Sequence, residues 1–210
     1  MSFKKNKYIV IKNILSKDVV ELAYNYIMRK KKVYDILVEG KIVSPQASYN
    51  YWGNYDVQVP DAYYSSYGDV LIDTILEDLK PTIEKKINLE LIENYTFTRI
   101  YKTGNELVRH IDRPACEISG TLNLGGDDWP IFLDPTGGVD KDGIPINLNP
   151  GDILLYRGAD LQHWREPFEG KFCVQSFFHY HDKSGEFKDK LKYDGRKMLG
   201  IPMCTGIHMI

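Results

Sequence analysis

The sequence predicts an α+β fold that is mainly β, in which a double-stranded β-helix (a jelly roll) is buttressed by N-terminal helices. Two observations lead to this fold class. Residues 1–90 hold two segments whose apolar side chains recur at helical spacing. From Leu91 onward, short alternating or apolar runs are separated by turn-forming residues. Roughly eight strands at this spacing would form a jelly roll.

The N-terminal part is predicted to contain one strand and two helices. Tyr8–Asn13 is the strand, and Ser16–Asp18 offers cap residues for the first helix. The apolar face of this helix is predicted to consist of Val19, Leu22, Ala23, Tyr26 and Ile27. The basic run Arg29–Lys32 is expected to be solvated at the helix end. A second helix begins near Asp69, and Pro81 kinks or restarts it.

The C-terminal part supplies six predicted strands, separated by glycine- and proline-containing turns. They are Tyr95–Tyr101, Glu117–Leu124, Trp129–Leu133, Ile144–Leu148, Asp152–Tyr156 and Cys173–Tyr180. We expect a single domain over 1–210, with the helical buttress and a tyrosine-rich loop in 1–90 and the jelly-roll core in 91–182. A C-terminal extension at 183–210 carries a helical fragment, Phe187–Leu191.

Composition excludes several classes of protein. The 43% hydrophobic and 27% charged residues exclude a disordered chain, and a net charge of −2 makes no case for a nucleic-acid partner. The three cysteines (Cys116, Cys173 and Cys204) form no Cys-x-x-Cys pair, which argues against a disulfide framework or zinc site. No apolar stretch approaches the ~18 residues of a membrane span. With no signal-peptide core near the first residue, we expect a cytoplasmic location.

The most informative motif is His110-x-Asp112, followed downstream by His163. Residues i and i+2 of a strand point to the same face, so His110 and Asp112 can both aim into a barrel. Two histidines and one carboxylate form the facial set that binds non-heme Fe(II) and leaves three coordination positions open. Three open positions are enough for a bidentate 2-oxo acid and dioxygen. The spacing therefore predicts an open, catalytic metal site at His110, Asp112 and His163.

Other polar residues are candidates for the same pocket. Ser119, Thr121 and Asn123 alternate along one strand face that begins at Glu117, and this face either lines a ligand-binding interior or meets solvent. Gln175 and Arg157 are weaker candidates of the same kind. His179 and His181 form a rival His-x-His pair that lacks a third ligand at suitable spacing. We expect them at the surface or a strand edge.

The motifs together resemble a known enzyme family. Tyr101 and Gly104 precede His110-x-Asp112, Arg113-Pro114 follows it, and Asn149-Pro-Gly-Asp precedes a strand just before His163. This combination, over about 95–182, resembles the 2-oxoglutarate/Fe(II)-dependent dioxygenases, in the branch that includes prolyl 4-hydroxylases. The resemblance implies iron held by the triad, 2-oxoglutarate and O2 as co-substrates, and a Tyr101 hydroxyl that donates to 2-oxoglutarate.

One family position is not matched. A Lys or Arg nine or ten residues beyond the distal histidine anchors the far carboxylate of 2-oxoglutarate in this family, and Phe172 and Cys173 stand there. The nearest cations are Lys171 and Arg165. A shorter turn could bring Lys171 into register, and it is slightly preferred. Arg165 is chemically the better carboxylate clamp but is close to the metal ligand.

The resemblance implies hydroxylation of a peptidyl proline, an amino acid or a related small substrate, with release of succinate and CO2. The partner would be a small molecule or a peptide, and the oligomeric state stays open. The tyrosine-rich segment 33–67 and the loop 125–143 are candidates for the walls of the entrance, because long loops commonly carry recognition. Alternatively, the tyrosines pack the N-terminal layer on the sheet. Two alternatives remain: a cupin-like metal-binding isomerase or binding protein that does not use 2-oxoglutarate, and a non-catalytic β-barrel module.

Overall fold

A computed structural model gives the fold and describes residues 3–46, 51–138, 142–187 and 192–201. Cys204 and all of the predicted helical fragment except Phe187 lie outside these residues, as does part of the loop 125–143. The described residues form three α-helices and ten strands in two antiparallel sheets. The predicted fold class, a mainly β jelly roll with few helices, is confirmed.

The helices are α1 (Phe3–Asn6), α2 (Lys17–Glu39) and α3 (Val70–Ile87). The strands are β1 (Tyr8–Ile11), β2 (Tyr64–Tyr67), β3 (Leu91–Lys102), β4 (Leu107–His110), β5 (Ile118–Gly126), β6 (Ile131–Asp134), β7 (Ile144–Ile146), β8 (Ile153–Tyr156), β9 (Gln162–Arg165) and β10 (Phe172–Asp182). One sheet has the order β1-β8-β5-β10-β3-β2 and the other β4-β9-β6-β7. The eight strands β3 to β10 divide equally between the sheets, and β1 and β2 extend the edges of the first.

Helix α2 begins as predicted, but its buried face is rotated. Ser16 caps it by accepting a hydrogen bond from the Val19 amide at 3.5 Å. Ala23 and Ile27 are buried as predicted, whereas Leu22 is 60% exposed. Val20 takes the buried place instead, because the helix packs on the sheet through positions 20, 23 and 27. Val19 is 37% exposed, so its assignment to the buried face was wrong.

The prediction that the basic run of α2 is solvated was wrong for two lysines. Helix α2 continues to Glu39, so Lys30 and Lys31 lie within the helix and are buried. The Lys30 ammonium lies 2.5 Å from Asp69 Oδ2 and 3.1 Å from Ser66 Oγ. This pair joins α2 to the start of α3. An opposite charge from a distant segment is what makes the burial of Lys30 tolerable.

Helix α3 begins near Asp69 as predicted and runs through Pro81 without a break. Asp69 Oδ1 accepts hydrogen bonds from the Leu71 and Ile72 amides at 2.9 and 3.2 Å. Pro81 removes the helical donor to the Glu77 carbonyl, but both residues are exposed, so water can satisfy that carbonyl. The helix buries Ile72, Ile75, Leu76, Leu79, Ile83 and Ile87.

The two long helices cover one face of the six-stranded sheet. Their apolar side chains form a continuous core with residues on the outward face of β3, β5 and β10, including Ile100, Leu122 and Phe178. The opposite face of that sheet turns toward the four-stranded sheet. A second apolar cluster, which includes Leu133, Ile146 and Leu154, fills one end of the space between the sheets. The remaining space between the sheets is where the polar candidate residues lie.

The C-terminal residues 192–201 pack against the core. The Arg196 guanidinium lies 3.2 Å from Asp73 Oδ2, and the Gly200 amide donates to the same oxygen at 2.7 Å. The division into a single domain with the boundaries given above stays a prediction. None of the described helices combines the length and apolar character required to cross a bilayer.

Candidate metal centre

Strand pairing brings the two predicted histidine ligands together. β4 and β9 pair antiparallel, with His110 directly opposite His163, and the two imidazole centroids are 4.2 Å apart. Asp112 follows β4, and its Oδ1 lies 3.6 Å from His110 Nε2 and 3.5 Å from His163 Nε2. One ligand atom from each of the three residues lies within 4.8 Å of the others. The three side chains can therefore converge on a single metal ion.

Backbone carbonyls orient both imidazoles for metal binding. His110 Nδ1 lies 2.7 Å from the Val108 carbonyl, and His163 Nδ1 lies 3.0 Å from the Leu161 carbonyl. A carbonyl only accepts, so each Nδ1 carries the proton and donates it. In the neutral form of each ring Nε2 then keeps its lone pair for a metal ion, and both Nε2 atoms face Asp112. This is the tautomer that a metal ligand requires.

The Asp112 carboxylate is held in its ionised form. Burial raises its pKa, but the interactions with His110 and His163 outweigh burial, and the pKa lies well below the ordinary value. Its second oxygen accepts a hydrogen bond from Ser119 Oγ at 2.7 Å. Gly158 packs so close that a Cβ there would lie 2.3 Å from Asp112 Oδ2. A larger residue at 158 would displace the carboxylate.

Part of the tyrosine-rich segment lies over the triad. Gln58 Nε2 is 2.9 Å from His110 Nε2, and its Oε1 accepts a hydrogen bond from Arg99 at 3.1 Å. Arg99 is itself paired with Asp56, with Nε 2.5 Å from Oδ2 and Nη2 3.0 Å from Oδ1. The Arg99–Asp56 pair thus fixes residues 56–58 beside His110.

Arg165 lies deep between the sheets, two residues beyond His163 on the same strand. It is 2% exposed, and its guanidinium lies 4.9 Å from the Trp129 ring centroid. Its Nη1 donates a hydrogen bond to the Trp129 carbonyl, and its Nε has no hydrogen-bond partner. Burial lowers the pKa of Arg165. Among the described residues, no carboxylate lies within ion-pair distance of this guanidinium.

Tyr101 and Thr121 complete the polar interior around Arg165. Both side chains are fully buried. Burial raises the pKa of Tyr101, and its hydroxyl oxygen accepts a hydrogen bond from Arg99 at 2.7 Å, so its own proton is free to be donated. Thr121 Oγ1 has no hydrogen-bond partner. A buried cation with two further hydroxyl donors is suited to a carboxylate ligand.

Lys171 and Asn123, two residues predicted to bind the co-substrate, do not offer a free polar group to a ligand beside Arg165. Lys171 is exposed directly before β10, with its ammonium 5.7 Å from the neighbouring Phe172 ring centroid. Asn123 is buried, but its amide donates to the Leu148 carbonyl at 2.6 Å and its Oδ1 accepts from Gly125 and Gln175. The side-chain amide of Asn123 is therefore engaged with Leu148, Gly125 and Gln175. Of the two candidate cations, the structure favours Arg165 as the one within the barrel.

A cavity of about 580 Å³ lies in front of the triad. Its lining includes all three residues of the triad, and residues 55–58 together with Tyr67 from the tyrosine-rich segment. From the described part of the loop 125–143, Ile131 lines it. The volume is that of a small-molecule site. The tyrosine-rich segment thus forms one wall of the cavity, as the sequence predicts.

Several solved structures resemble this chain, although no protein-family model and no curated protein matches it. A prolyl-4-hydroxylase from Pseudomonas putida is 16% identical, with a TM-score of 0.56 over 84% of this chain and 94% of that one. HygX from Streptomyces hygroscopicus, with nickel and 2-oxoglutarate bound, is 12% identical, with a TM-score of 0.60 over 87% and 85%. The non-heme α-ketoglutarate-dependent carbocyclase SnoK is 11% identical, with a TM-score of 0.61 over 97% and 91%.

The chain has the fold of these proteins. The predicted resemblance to the 2-oxoglutarate/Fe(II)-dependent dioxygenases, with prolyl hydroxylases among the neighbours, is confirmed at the level of the fold. In this fold the triad lies where β4 ends and β9 begins, and Arg165 is at the other end of β9.

His179 and His181 are buried on β10, so the expectation that they lie at a surface or strand edge was wrong. His179 Nδ1 is 3.1 Å from Ser119 Oγ, and its ring centroid is 4.4 Å from that of Tyr95. His179, Cys116 and Asp112 form a second group of ligand-type atoms within 4.8 Å. This group shares Asp112 with the triad, so His179 belongs to the wall of the same cavity.

Sequence reasoning did not identify Arg99 or Gln58 as residues of the site. Arg99 precedes Tyr101 by two positions on β3 and so shares its inward face, which is a signal the sequence contains. Gln58 lies outside any strand and reaches His110 only through tertiary packing. Arg157, a weaker candidate, lies 3.6 Å from Glu117 and 3.7 Å from Asp182, in a separate cluster of charges.

Proposed function

We propose that this protein is a 2-oxoglutarate- and Fe(II)-dependent dioxygenase. It would hydroxylate a C–H bond of a peptidyl proline, an amino acid or a related small substrate, with release of succinate and CO2. The observation that carries the proposal is the buried Arg165 guanidinium, which lies on the strand of the metal-ligand candidate His163 and has no carboxylate partner among the described residues. A buried unpaired cation is costly, and a co-substrate carboxylate would remove that cost.

The residues of the triad have the roles of metal ligands in this proposal. His110, Asp112 and His163 would take three positions on one side of Fe(II), a set typical of non-heme iron oxygenases. Bound iron supplies the activation of O2, coupled to decarboxylation of 2-oxoglutarate. The chain's own contribution is placement: the carbonyls of Val108 and Leu161 fix the two rings, and Ser119 fixes the carboxylate.

The co-substrate would lie between the triad and Arg165. Arg165 would bind the far carboxylate of 2-oxoglutarate through Nε, and Tyr101 and Thr121 would donate their hydroxyl protons to the same ligand. The neighbour HygX holds nickel and 2-oxoglutarate on the same fold, which supports a co-substrate of this kind. Lys171, exposed outside the barrel, is not needed in this arrangement.

Location and partners belong to the same proposal. Cys116 and Cys173 are free thiols, which suits a reducing compartment such as the cytoplasm. A related prolyl hydroxylase from Trichoplax adhaerens was solved in complex with a peptide fragment, and this supports a peptide or small-molecule partner. The substrate itself would occupy the cavity of about 580 Å³ in front of the triad.

Succinate formation tests the proposal directly. We expect the purified protein to convert 2-oxoglutarate to succinate, slowly without substrate, only when both Fe(II) and O2 are present. Asp112→Ala should abolish this turnover and weaken Mn(II) binding by about a hundredfold or more, since it removes the charged ligand. Far-UV circular dichroism should be unchanged in the variant.

Two outcomes would contradict the assignment. Unchanged succinate formation in Asp112→Ala would mean that the proposed metal centre is not needed for the reaction. Stoichiometric Mn(II) binding without any 2-oxoglutarate turnover or binding of its analogue N-oxalylglycine would instead support the cupin-like alternative. Absence of metal binding altogether would favour the non-catalytic module.

A further inference from the structure

The cavity in front of the triad has an aromatic wall. Tyr67 stacks on Tyr95 at 4.9 Å between ring centroids, and Tyr95 contacts the His179 ring at 4.4 Å. Phe97 and Phe177 lie directly opposite each other on β3 and β10, with centroids 6.5 Å apart, and both line the cavity. The two phenylalanine rings are only partly buried, so a ligand can contact them. Such a wall favours a ring-bearing ligand.

The charges beside this wall are already paired. Arg99 is held by both oxygens of Asp56. Arg113 is held by both oxygens of Asp194, at 2.8 and 2.6 Å. His179 is also occupied, since its Nδ1 lies 3.1 Å from Ser119 Oγ and its ring is in contact with that of Tyr95. Apart from the metal triad, the described charged residues that line the cavity therefore offer no unpaired charge to a ligand.

The mouth of the cavity is apolar as well. Val57 is 80% exposed, Ile111 55% and Tyr55 40%, and all three line the cavity. Ile111 stands between the two metal-ligand candidates His110 and Asp112, so the exposed apolar surface reaches the triad. Exposed apolar side chains that gather at a cavity mark a binding surface. A ligand in contact with this rim would cover apolar surface on both sides of the entrance.

We propose that the cavity binds an uncharged, ring-bearing group and discriminates against free amino acids and other zwitterions. The inference rests on the proposed function, in that the cavity is taken as the place of the oxidised substrate. A ring fills the space between Phe97, Phe177 and the rim, whereas a free ammonium and carboxylate would lose water there without gaining a partner. The ring can come from a free small molecule or from a neutral residue inside a peptide, since both present the same chemistry.

A matched pair of probes tests the charge preference without any turnover. N-acetyl-L-tryptophanamide and L-tryptophan share one ring system and differ in the charges that flank it. Isothermal titration calorimetry is carried out on the whole chain, with and without Mn(II) and N-oxalylglycine. We expect the neutral probe to bind at least about tenfold more tightly than the zwitterion in both states. The neutral prolyl peptide N-acetyl-Ala-Pro-Ala-amide forms a third arm, and tighter binding of this probe would identify a peptide as the source of the ring.

Three variants connect the binding to the aromatic wall. Phe97→Ala and Phe177→Ala should each weaken binding of the preferred neutral probe about fivefold, because each removes one ring contact. Phe132→Ala is the matched control: Phe132 stacks on Trp164 at 5.5 Å and does not line the cavity, so binding should be unchanged.

Three results would overturn the inference: equal or tighter binding of L-tryptophan, no binding of either neutral probe, or neutral binding that survives both cavity variants. Failure to load Mn(II) would instead count against the proposed dioxygenase activity. The two proposals can therefore fail separately.

Discussion

Arg165 is the candidate cation whose side chain lies inside the barrel. It shares the inward face of β9 with His163, because side chains two residues apart on a strand point the same way. It therefore enters the barrel, where its Nε is without a partner. Lys171 lies outside, exposed directly before β10. The resemblance places the anchoring cation at position 172 or 173, where this chain has Phe172 and the buried Cys173, whose pKa burial raises.

Replacement of the two cations separately tests the anchor. Arg165→Met keeps most of the side-chain volume and removes the charge. It should raise the apparent KM for 2-oxoglutarate about tenfold to a hundredfold, because that factor corresponds to the loss of one charge-assisted hydrogen bond. Lys171→Met, the control, should leave KM within about twofold. Succinate formation and calorimetry with N-oxalylglycine measure both effects. A larger effect for Lys171→Met would mean that Lys171, in the loop before β10, binds the far carboxylate of 2-oxoglutarate.

At the scale of elements, two four-residue strands carry the two histidine candidates for metal binding. β4 and β9 pair only over a few residues, yet this pairing sets the 4.2 Å separation of the two imidazoles. Neither strand is evident from periodicity, because Leu107–His110 and Gln162–Arg165 are too short to show an alternating pattern. The six predicted strands were found because each has an apolar or alternating run, and their observed ends differ by a few residues.

The contact between α2 and α3 depends on the buried pair of Lys30 and Asp69. Lys30→Met should lower the free energy of unfolding by about 3 kcal/mol, because it leaves the Asp69 carboxylate buried without its cation. Lys32→Met is the matched control on an exposed face of the same helix. It should change the free energy of unfolding by less than about 0.5 kcal/mol. Urea unfolding followed by circular dichroism measures both. Equal effects of the two substitutions would mean that the buried pair adds no stability.

At the scale of the whole molecule, three layers place the site. Helices α2 and α3 cover one face of the six-stranded sheet, and the four-stranded sheet faces the other. Polar side chains of β3, β5 and β10 are thereby enclosed between the sheets, where Tyr101, Thr121 and His179 are all buried. The polar face of β5 lines an interior, which decides between the two alternatives that the alternating pattern left open.

Burial of His179 should make the stability of the whole chain depend on pH. Burial lowers its pKa from 6.5 to about 4, outweighing the nearby Asp112. Between these values the unfolded chain binds the proton and the folded chain does not, so the free energy of unfolding falls as pH drops through this window. The loss should reach about 3 kcal/mol near pH 4. Above pH 6.5 this contribution to the pH dependence vanishes.

Urea unfolding at several pH values, with EDTA present to exclude metal binding, measures this effect. His179→Asn should show a shallower decline of the free energy of unfolding between pH 6.5 and 4 than the unmodified chain. Parallel declines for the two proteins would show that His179 does not titrate as its burial requires.

Local physics explains what could be predicted from the sequence. The cap region that begins at Ser16, the start of the second helix near Asp69 and the apolar runs of six strands depend on residues close together in the chain. The His110-x-Asp112 pair is local too, and with His163 it predicted a triad whose ligand atoms do converge. These features need only the periods of a helix and a strand.

Contacts between distant segments decided the rest. Whether Arg165 or Lys171 enters the barrel depends on the register of β9 and on where β10 begins. The burial of Lys30 depends on Asp69, and that of His179 on the sheet opposite. Gln58 reaches His110 from a segment without regular structure. The sequence alone thus determined the class of fold and the metal-ligand candidates. Only the tertiary structure decided which charges are buried, since burial is a property of packing and not of any local pattern.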